Sequence, residues 1–471
     1  MDTRKRSITI LMLPWLAHGH ISPHLELAKK LANRNFFIYI CSSPINLYSI
    51  RKNLSERESI SIKLVEIHIP TSPELPPHYH TTNGLPHRLM PALKKALDAA
   101  RPSFSTTLKT LQPDLVLYDY LHQWVPEEAT LLNIPAVLFW TAVQLHVLTF
   151  CTSVFKLETE FPFPVPFFRD YEIERHRLLL VNDTKDSERL MNCVQQSSDI
   201  ILIKTFAELE GKYIDYCSIM AQKKFVTVGP LVQATVTAGD DHSEIIEWLD
   251  RKNSNSIVFA SFGSEYFLSE VDIEEIAYGV ELSGVNFIWA FRFPIDMNNK
   301  IEEKLPKGFL ERVAEGGIVV DWAPQRKILA HSRFGGFVSH CGWSSVMESF
   351  HFGVPVVALP MHLDQPLNAK LVADIGLGEE VIRNKEGNLE REAIAGVIRK
   401  VVVEKGGENL RRKVKELSKK MWEIKEEEID GAVEEMVKLC KRREMLNLAP
   451  ANSMKKLNLM VTNGDGRVET A

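Results

Sequence analysis

The chain has 471 residues, 45% apolar and 25% charged, which calls for more than one hydrophobic core and otherwise matches an ordinary soluble globular protein. A formal net charge of −5 offers no basic footprint for nucleic acid, so that function class is set aside. Six cysteines (Cys41, Cys151, Cys193, Cys217, Cys341, Cys440) show no CxxC and no paired spacing, which fits reduced thiols in a cytosolic protein better than a disulfide framework.

The opening MDTRKRSITILMLPWLAH couples charges to an apolar run, as a signal peptide does. The run at 8–13 is short, rich in strand formers and without a small-residue cleavage site, so a buried first strand is expected over 8–15. An amphipathic helix over 21–33 and a strand over 36–41 follow, then a helical stretch around 89–111 and strands over 115–118 and 136–139. The most apolar stretch, 134–150, contains Pro135, Gln144 and His146 and reads as strand, loop and buried helix, not as a membrane span. The triplets at Asn53 and Asn182 carry no glycosylation argument without a secretion signal. Short apolar strands separated by helices indicate a parallel sheet covered on both faces.

The alternation stops around Gly229 and Pro230. Residues 233–243 (QATVTAGDDHS) are small and polar and read as a linker. Beyond them the pattern resumes with a strand over 257–261, a helix over 273–283 and a strand over 287–291. The expected division is a first domain over 1–232, a linker over 233–243 and a second domain over 244–445, both doubly wound. Two such sheets facing across a cleft would place ligands at their carboxyl ends. The charged run within 409–445 reads as solvated helix faces with i,i+4 ion pairs. Residues 446–471 lack periodicity and are expected to be a largely disordered tail.

No GxGxxG or GxxxxGK[ST] occurs, so a nucleotide would have to be held in another way. The segment WAPQRKILAHSRFGGFVSHCGWSSVMESFHFGVPVVALPMHLDQ, from Trp322 to Gln365, offers one. Trp322, with Ala323 beside it, presents a flat π-face to a base such as uracil, and Gln325 supplies donor and acceptor groups to the base edge. His340 precedes Gly342, Trp343, Ser344 and Ser345, which open a helix running to about Phe352. Free N–H groups, an imidazole and a hydroxyl at a helix N-terminus make a diphosphate site without metal. Glu348 can accept from ribose hydroxyls, while Asp364 and Gln365, after a strand over 356–359, can bind the hydroxyls of a sugar. Ser264, in the turn after the 257–261 strand, is a second phosphate candidate. Each residue alone has a plainer reading: Trp322 as core, Glu348 as a first-turn acid, Ser264 as a turn serine. The joint spacing carries the site.

His18, Gly19, His20 and His24 follow the first strand. Three histidines in so short a run suggest a metal, but no acidic or cysteine ligand lies nearby and no HExxH is present, so no metal is expected. His20 suits a general base at the carboxyl end of a strand. Asp119 ends a later strand in a similar position, and a carboxylate there would fix the imidazole tautomer, although sequence alone does not bring the two together. The loops around His78, His80 and His87 and the segment 158–168 read equally as pocket lining or surface scaffold.

With the Gly-His opening, Asp119, the Phe139, Trp140 and Thr141 run, the Phe-Gly-Ser loop and the whole 322–365 segment, most of the chain resembles the plant UDP-glycosyltransferases and their signature box. The resemblance implies a GT-B fold, with the acceptor held mainly by the first domain and a UDP-sugar by the second. It implies a His20–Asp119 dyad, Ser264 on the diphosphate and Thr141 against the donor sugar. Gln365, ending the box, implies UDP-glucose as co-substrate, with no metal or other cofactor. Inversion at the anomeric carbon in one displacement is expected, as are acceptor contacts from His18, Gln123, Trp124, Trp140 and Gln144. A cytoplasmic monomer without a membrane span completes the expectation.

Two departures stand out: Ser344 replaces the usual Asn, and His18 replaces a common Gln. With PWLAHGH and PMHLDQP, they resemble the subgroup that adds a sugar to an existing glycoside of a terpenoid, carotenoid-derived acid, lignan or flavonoid. The alternative acceptor is an aglycone hydroxyl or carboxyl. A non-catalytic UDP-sugar-binding protein is a third reading, motivated by Ser344 and His18 and opposed by the presence of both His20 and Asp119.

Overall fold

The computed structural model describes residues 7–141, 168–174, 185–233, 243–263, 266–292 and 301–448. The first sheet contains β1 (Ile8–Leu13), β2 (Phe36–Ser42), β3 (Ile62–Glu66), β4 (Leu115–Tyr118), β5 (Ala136–Trp140), β6 (Ile200–Ile203) and β7 (Lys224–Thr227). Their spatial order is β3-β2-β1-β4-β5-β6-β7, with every pairing parallel. The second sheet contains β8 (Ile257–Ser261), β9 (Asn286–Ala290), β10 (Gly317–Val320), β11 (Phe334–Ser339), β12 (Val356–Ala358) and β13 (Gly378–Glu380). It is also all parallel, in the order β10-β9-β8-β11-β12-β13.

Both orders reverse direction in mid-sheet, at β1/β4 and at β8/β11, and such switch points open a crevice at the strands' carboxyl ends. The central strands are apolar runs because helices cover both of their faces: β4, β5, β6 and β11 are buried at every residue. Leu11, Leu13 and Tyr118 pack on one face with Leu93 and Phe104, and Ile10, Met12 and Leu117 on the other with Leu27 and Leu31.

The chain departs from the sequence reading in three places. The first helix spans His18–Ala32 and so begins earlier than expected, bringing His18 and His20 into its opening turn. The stretch around 89–111 is two helices, Met90–Asp98 and Arg101–Leu111, the second with a proline (Pro102) in its first turn. Proline lacks an N–H and is tolerated there, where no intrahelical bond is lost.

The third departure concerns the C-terminus. A single helix, Lys405–Leu448, leaves the second sheet and returns to the first. Val414 and Met421 pack with Val346, Phe350 and Leu371, whereas Ile429, Ala432, Met436 and Cys440 enter the cluster containing Ile10, Met12, Leu117 and Val137. Its charged face is correspondingly not all solvated. Arg412–Glu416 is an i,i+4 pair at 2.8 Å, but Arg34 reaches Asp430 at 2.5 Å and Glu426 at 3.0 Å, and Lys224 reaches Glu435 at 2.9 Å. The last part of the span assigned to the second domain therefore completes the core of the first. The helix also runs into the start of the expected tail, whose residues 449–471 lie outside the described part, as do linker residues 234–242.

The two halves meet again where Arg169 makes a two-pronged pair with Glu380 at 2.6 and 2.7 Å and bonds Glu172 at 2.9 Å. Lys370 also pairs with Glu172. The five described cysteines are buried and unbridged. No helix among the described residues is long and apolar enough to cross a membrane.

Met436 is fully buried against the first sheet although it lies far along the last helix. Met436→Ala is expected to cost about 2–5 kcal/mol in urea unfolding through the cavity it leaves. An unchanged midpoint would show that the returning helix does not belong to that core.

Candidate active site

The first half of the site is built at the β1/β4 switch point. After β1 the chain runs through Trp15, Leu16 and Ala17 into the helix, and Leu16 O is fastened by Thr82 N at 2.9 Å. This turns His20 toward the end of β4, where its Nδ1 lies 2.8 Å from Asp119 Oδ2. The two residues are 99 positions apart in the chain. Asp119 is 1% exposed and accepts further bonds from the backbone N–H groups of Trp15 (3.3 Å) and Tyr120 (2.8 Å). Burial pushes its pKa upward, but His20 as charge and hydrogen-bond partner outweighs that and holds it at about 2. An ionised carboxylate can only accept, so Nδ1 must carry the proton and Nε2 is the basic nitrogen. Thr141 Oγ1 stands 3.2 Å from the same Nδ1.

His24 does not join His20 in a metal pair. It is sealed from water, its Nδ1 bonds His20 O at 2.8 Å, its ring lies edge-on to Phe139, and burial lowers its pKa to about 4. Among the described residues no group of three His, Cys, Asp or Glu side chains is placed to hold a metal ion.

The second half lies at the β8/β11 switch point and on the elements after it. Trp322 is 39% exposed, an unusual degree for an indole. Gln325 Nε2 donates to Glu348 Oε2 at 2.8 Å and to Ser345 Oγ at 3.3 Å, so base-edge, ribose and phosphate candidates form one connected group. Burial raises the pKa of Glu348. Ala323 is buried in the apolar cluster that holds Ile328 and Leu329. His340 follows β11, and burial lowers its pKa to about 4 although it bonds the backbone of Ser261. Its ring needs two glycines beside it. A Cβ on Gly263 (φ +80°) would come within 2.7 Å of Nε2, and one on Gly342 within 2.6 Å.

The helix Trp343–His351 then opens with Ser344 and Ser345 in its first turn. Asp364 Oδ2 accepts from Asn368 Nδ2 at 3.0 Å. Gln365 Oε1 accepts from the N–H groups of Met361 and His362, both at 3.0 Å. That engages the carbonyl oxygen of Gln365 in holding its own loop.

Among the acceptor-side expectations, His18 is exposed to the cleft, where enclosure and then the charges of Arg292, Arg326 and Lys204 lower its pKa. Trp124 is a core residue: 5% exposed, edge-on to Phe104, with Nε1 donating to Asp98. Trp140 is also buried and stacks on Tyr120, which in turn lies 5.8 Å from the His20 ring. Gln123 Oε1 accepts from Asn192 at 2.9 Å. Gln144 and Ser264 lie outside the described residues. Sequence reasoning missed Tyr120 and Lys204. Tyr120 had a usable signal, being next to Asp119. Lys204 is buried at the end of β6, and its Nζ donates to Ser344 Oγ at 2.8 Å across the cleft.

Comparison with known proteins identifies the family and the fold. Residues 190–419 match the family described as UDP-glucoronosyl and UDP-glucosyl transferase, and residues 6–233 match a glycosyltransferase N-terminal domain. UDP-glucosyltransferase 29 of Panax ginseng is 51% identical over 94% of this chain and 99% of its own length. Beta-D-glucosyl crocetin beta-1,6-glucosyltransferase of Gardenia jasminoides is 48% identical over 91% of this chain and 98% of its own. A transferase from Siraitia grosvenorii, crystallised with UDP, superposes with a TM-score of 0.74 at 25% identity, covering 92% of this chain and all of that one. The two facing parallel sheets are thus those of the GT-B fold, and the chain belongs to the UDP-glycosyltransferase family.

Proposed function

We propose that the protein moves glucose from UDP-glucose to a hydroxyl of a sugar already attached to a plant small molecule, in one inverting displacement. The observation that carries the chemistry is the 2.8 Å contact between His20 and the sealed Asp119, at the switch point facing the Trp322–Glu348 group. The Gardenia relative, named for adding glucose to a glucosyl crocetin, supports the glycoside acceptor. The names of both curated relatives support glucose as the sugar.

In this reading Nε2 of His20 takes the proton of the acceptor hydroxyl while that oxygen bonds to C1 of glucose from the face opposite the phosphate. The C1–O bond breaks and UDP leaves with the electron pair. Asp119 stabilises the imidazolium as it forms. Trp322 and Gln325 take the uracil, with Ala323 beside them, and Glu348 the ribose. His340, Gly342, Ser344, Ser345 and the N–H groups at Trp343 face the diphosphate, and Ser264 is assigned there too. Asp364, Gln365 and Thr141 take the glucose, and His18 faces the acceptor. The charge of the leaving group is met by hydrogen bonds and a helix N-terminus, so no metal or other cofactor is assigned. The active unit is taken to be a cytoplasmic monomer. An aglycone acceptor is the second reading.

His20→Ala should lower kcat by about a thousandfold, within the usual reach of a general base, while UDP binding by calorimetry stays near wild type. Turnover close to wild type would remove His20 from that role. Trp322→Ala should weaken UDP binding by roughly five- to a hundredfold, the range for loss of one base stack, with little change in thermal unfolding. Incubation with UDP-glucose and matched pairs of aglycones and their monoglucosides, read by mass spectrometry, should add hexose to the glucosides. Addition confined to the aglycones would favour the second reading.

A further inference from the structure

Lys204 follows β6 and is pinned on both sides by its backbone. Its N–H donates to Trp140 O at 2.9 Å, and its carbonyl accepts from Trp343 Nε1 at 2.9 Å. The side chain is 2% exposed. Its Nζ donates to Ser344 Oγ at 2.8 Å, and none of the ion pairs among the described residues includes it. Glu348 and Glu26 act on it only through space, and burial brings its pKa down to about 8, which still leaves it largely protonated at neutral pH.

A buried ammonium answered by one neutral hydroxyl is costly unless an anion is meant to complete it. Its position narrows the choice of anion. Ser344 is the second residue of the Trp343–His351 helix, so the ammonium stands at the helix end whose unbonded N–H groups favour negative charge. The imidazole beside that end, His340, is held neutral by its low pKa and contributes no formal charge.

We propose that Lys204, reaching across from the first domain, is a diphosphate-binding residue that pairs with the nucleoside diphosphate seated at this helix. The short Ser344 side chain leaves room for the ammonium, and Ser344 Oγ holds it in place. This rests on the UDP-sugar reading above and adds to it a cation from the opposite domain. Binding the donor would then draw the two domains together, and the same charge would stabilise UDP as it leaves. Uridine has no phosphate and should be indifferent to the lysine.

The test is calorimetry with UDP and with uridine on the full chain, comparing wild type, Lys204→Met and Lys204→Arg. Lys204→Met should lose tenfold or more of its UDP affinity while uridine binding stays within about twofold, and Lys204→Arg should keep most of the UDP affinity. Equal losses for UDP and uridine in Lys204→Met would mark the lysine as structural and overturn the assignment. So would unchanged UDP affinity. If Lys204→Met fails to fold, Lys204→Gln carries the same comparison. Wild type binding neither compound would overturn both this assignment and the function it rests on, whereas normal wild-type UDP binding with an indifferent Lys204→Met would overturn the assignment alone.

Discussion

Asp119 is 1% exposed, and an ionised carboxylate sealed to that degree costs several kcal/mol in lost hydration unless each oxygen is answered. The answers come from the Trp15 and Tyr120 N–H groups and from His20 Nδ1. Satisfying them fixes the backbone at the carboxyl ends of β1 and β4 and the rotation of the first helix. Tyr120, oriented by one of these bonds, lies beside the imidazole and is backed by Trp140. The β1/β4 side of the cleft is therefore organised outward from one charge.

Among the described residues the two sheets share no strand pairing, so other contacts set their spacing. The Lys405–Leu448 helix ties them through apolar burial on both sheets, which hydration does not weaken. Arg169 and Glu380 form a second tie with two parallel bonds, and Glu172 and Lys370 complete its charge balance. Lys370 belongs to the Gln365–Asp374 helix, so this tie bears on the element that opens with Asp364 and Gln365. Lys204 and Trp343 form the third contact, inside the cleft. The third lies at the opening turn of the Trp343–His351 helix.

The sequence made the strands at 115–118 and 257–261 legible to the residue, because a strand buried on both faces is a short apolar run between polar breaks. The contact among Gln325, Ser345 and Glu348 was legible for a related reason: they lie at or near the starts of two neighbouring helices, whose spacing is set by backbone geometry. The last helix was misassigned because amphipathicity marks a buried face without saying which sheet buries it. The resemblance implied an acceptor contact from Trp124, whereas its burial and its edge contact with Phe104 depend on the preceding helices, which a motif does not carry. Lys204 left no local signal at all, since its partner lies 140 positions away.

Three histidines surround Asp119, and their environments separate their roles. His24 and His122 are fully sealed, and burial lowers each to about 4, so both stay neutral at ordinary pH despite the nearby carboxylate. Each bonds a backbone carbonyl with one nitrogen, which is a structural use of the ring. His20 differs in two respects that matter together: its ring contacts the carboxylate oxygen directly, and its side chain keeps 20% exposure to the cleft. A proton arriving from the cleft can reach His20 and be stabilised there, while the sealed rings would have to be charged without water or direct contact with the carboxylate. His340, in the opposite domain, is neutral for the same reason as the sealed pair and can offer hydrogen bonding without taking up charge. Of the three rings around Asp119, His20 alone joins cleft exposure to direct contact with the carboxylate, and on the proposed reading the charge of the leaving group falls to the helix end and to Lys204.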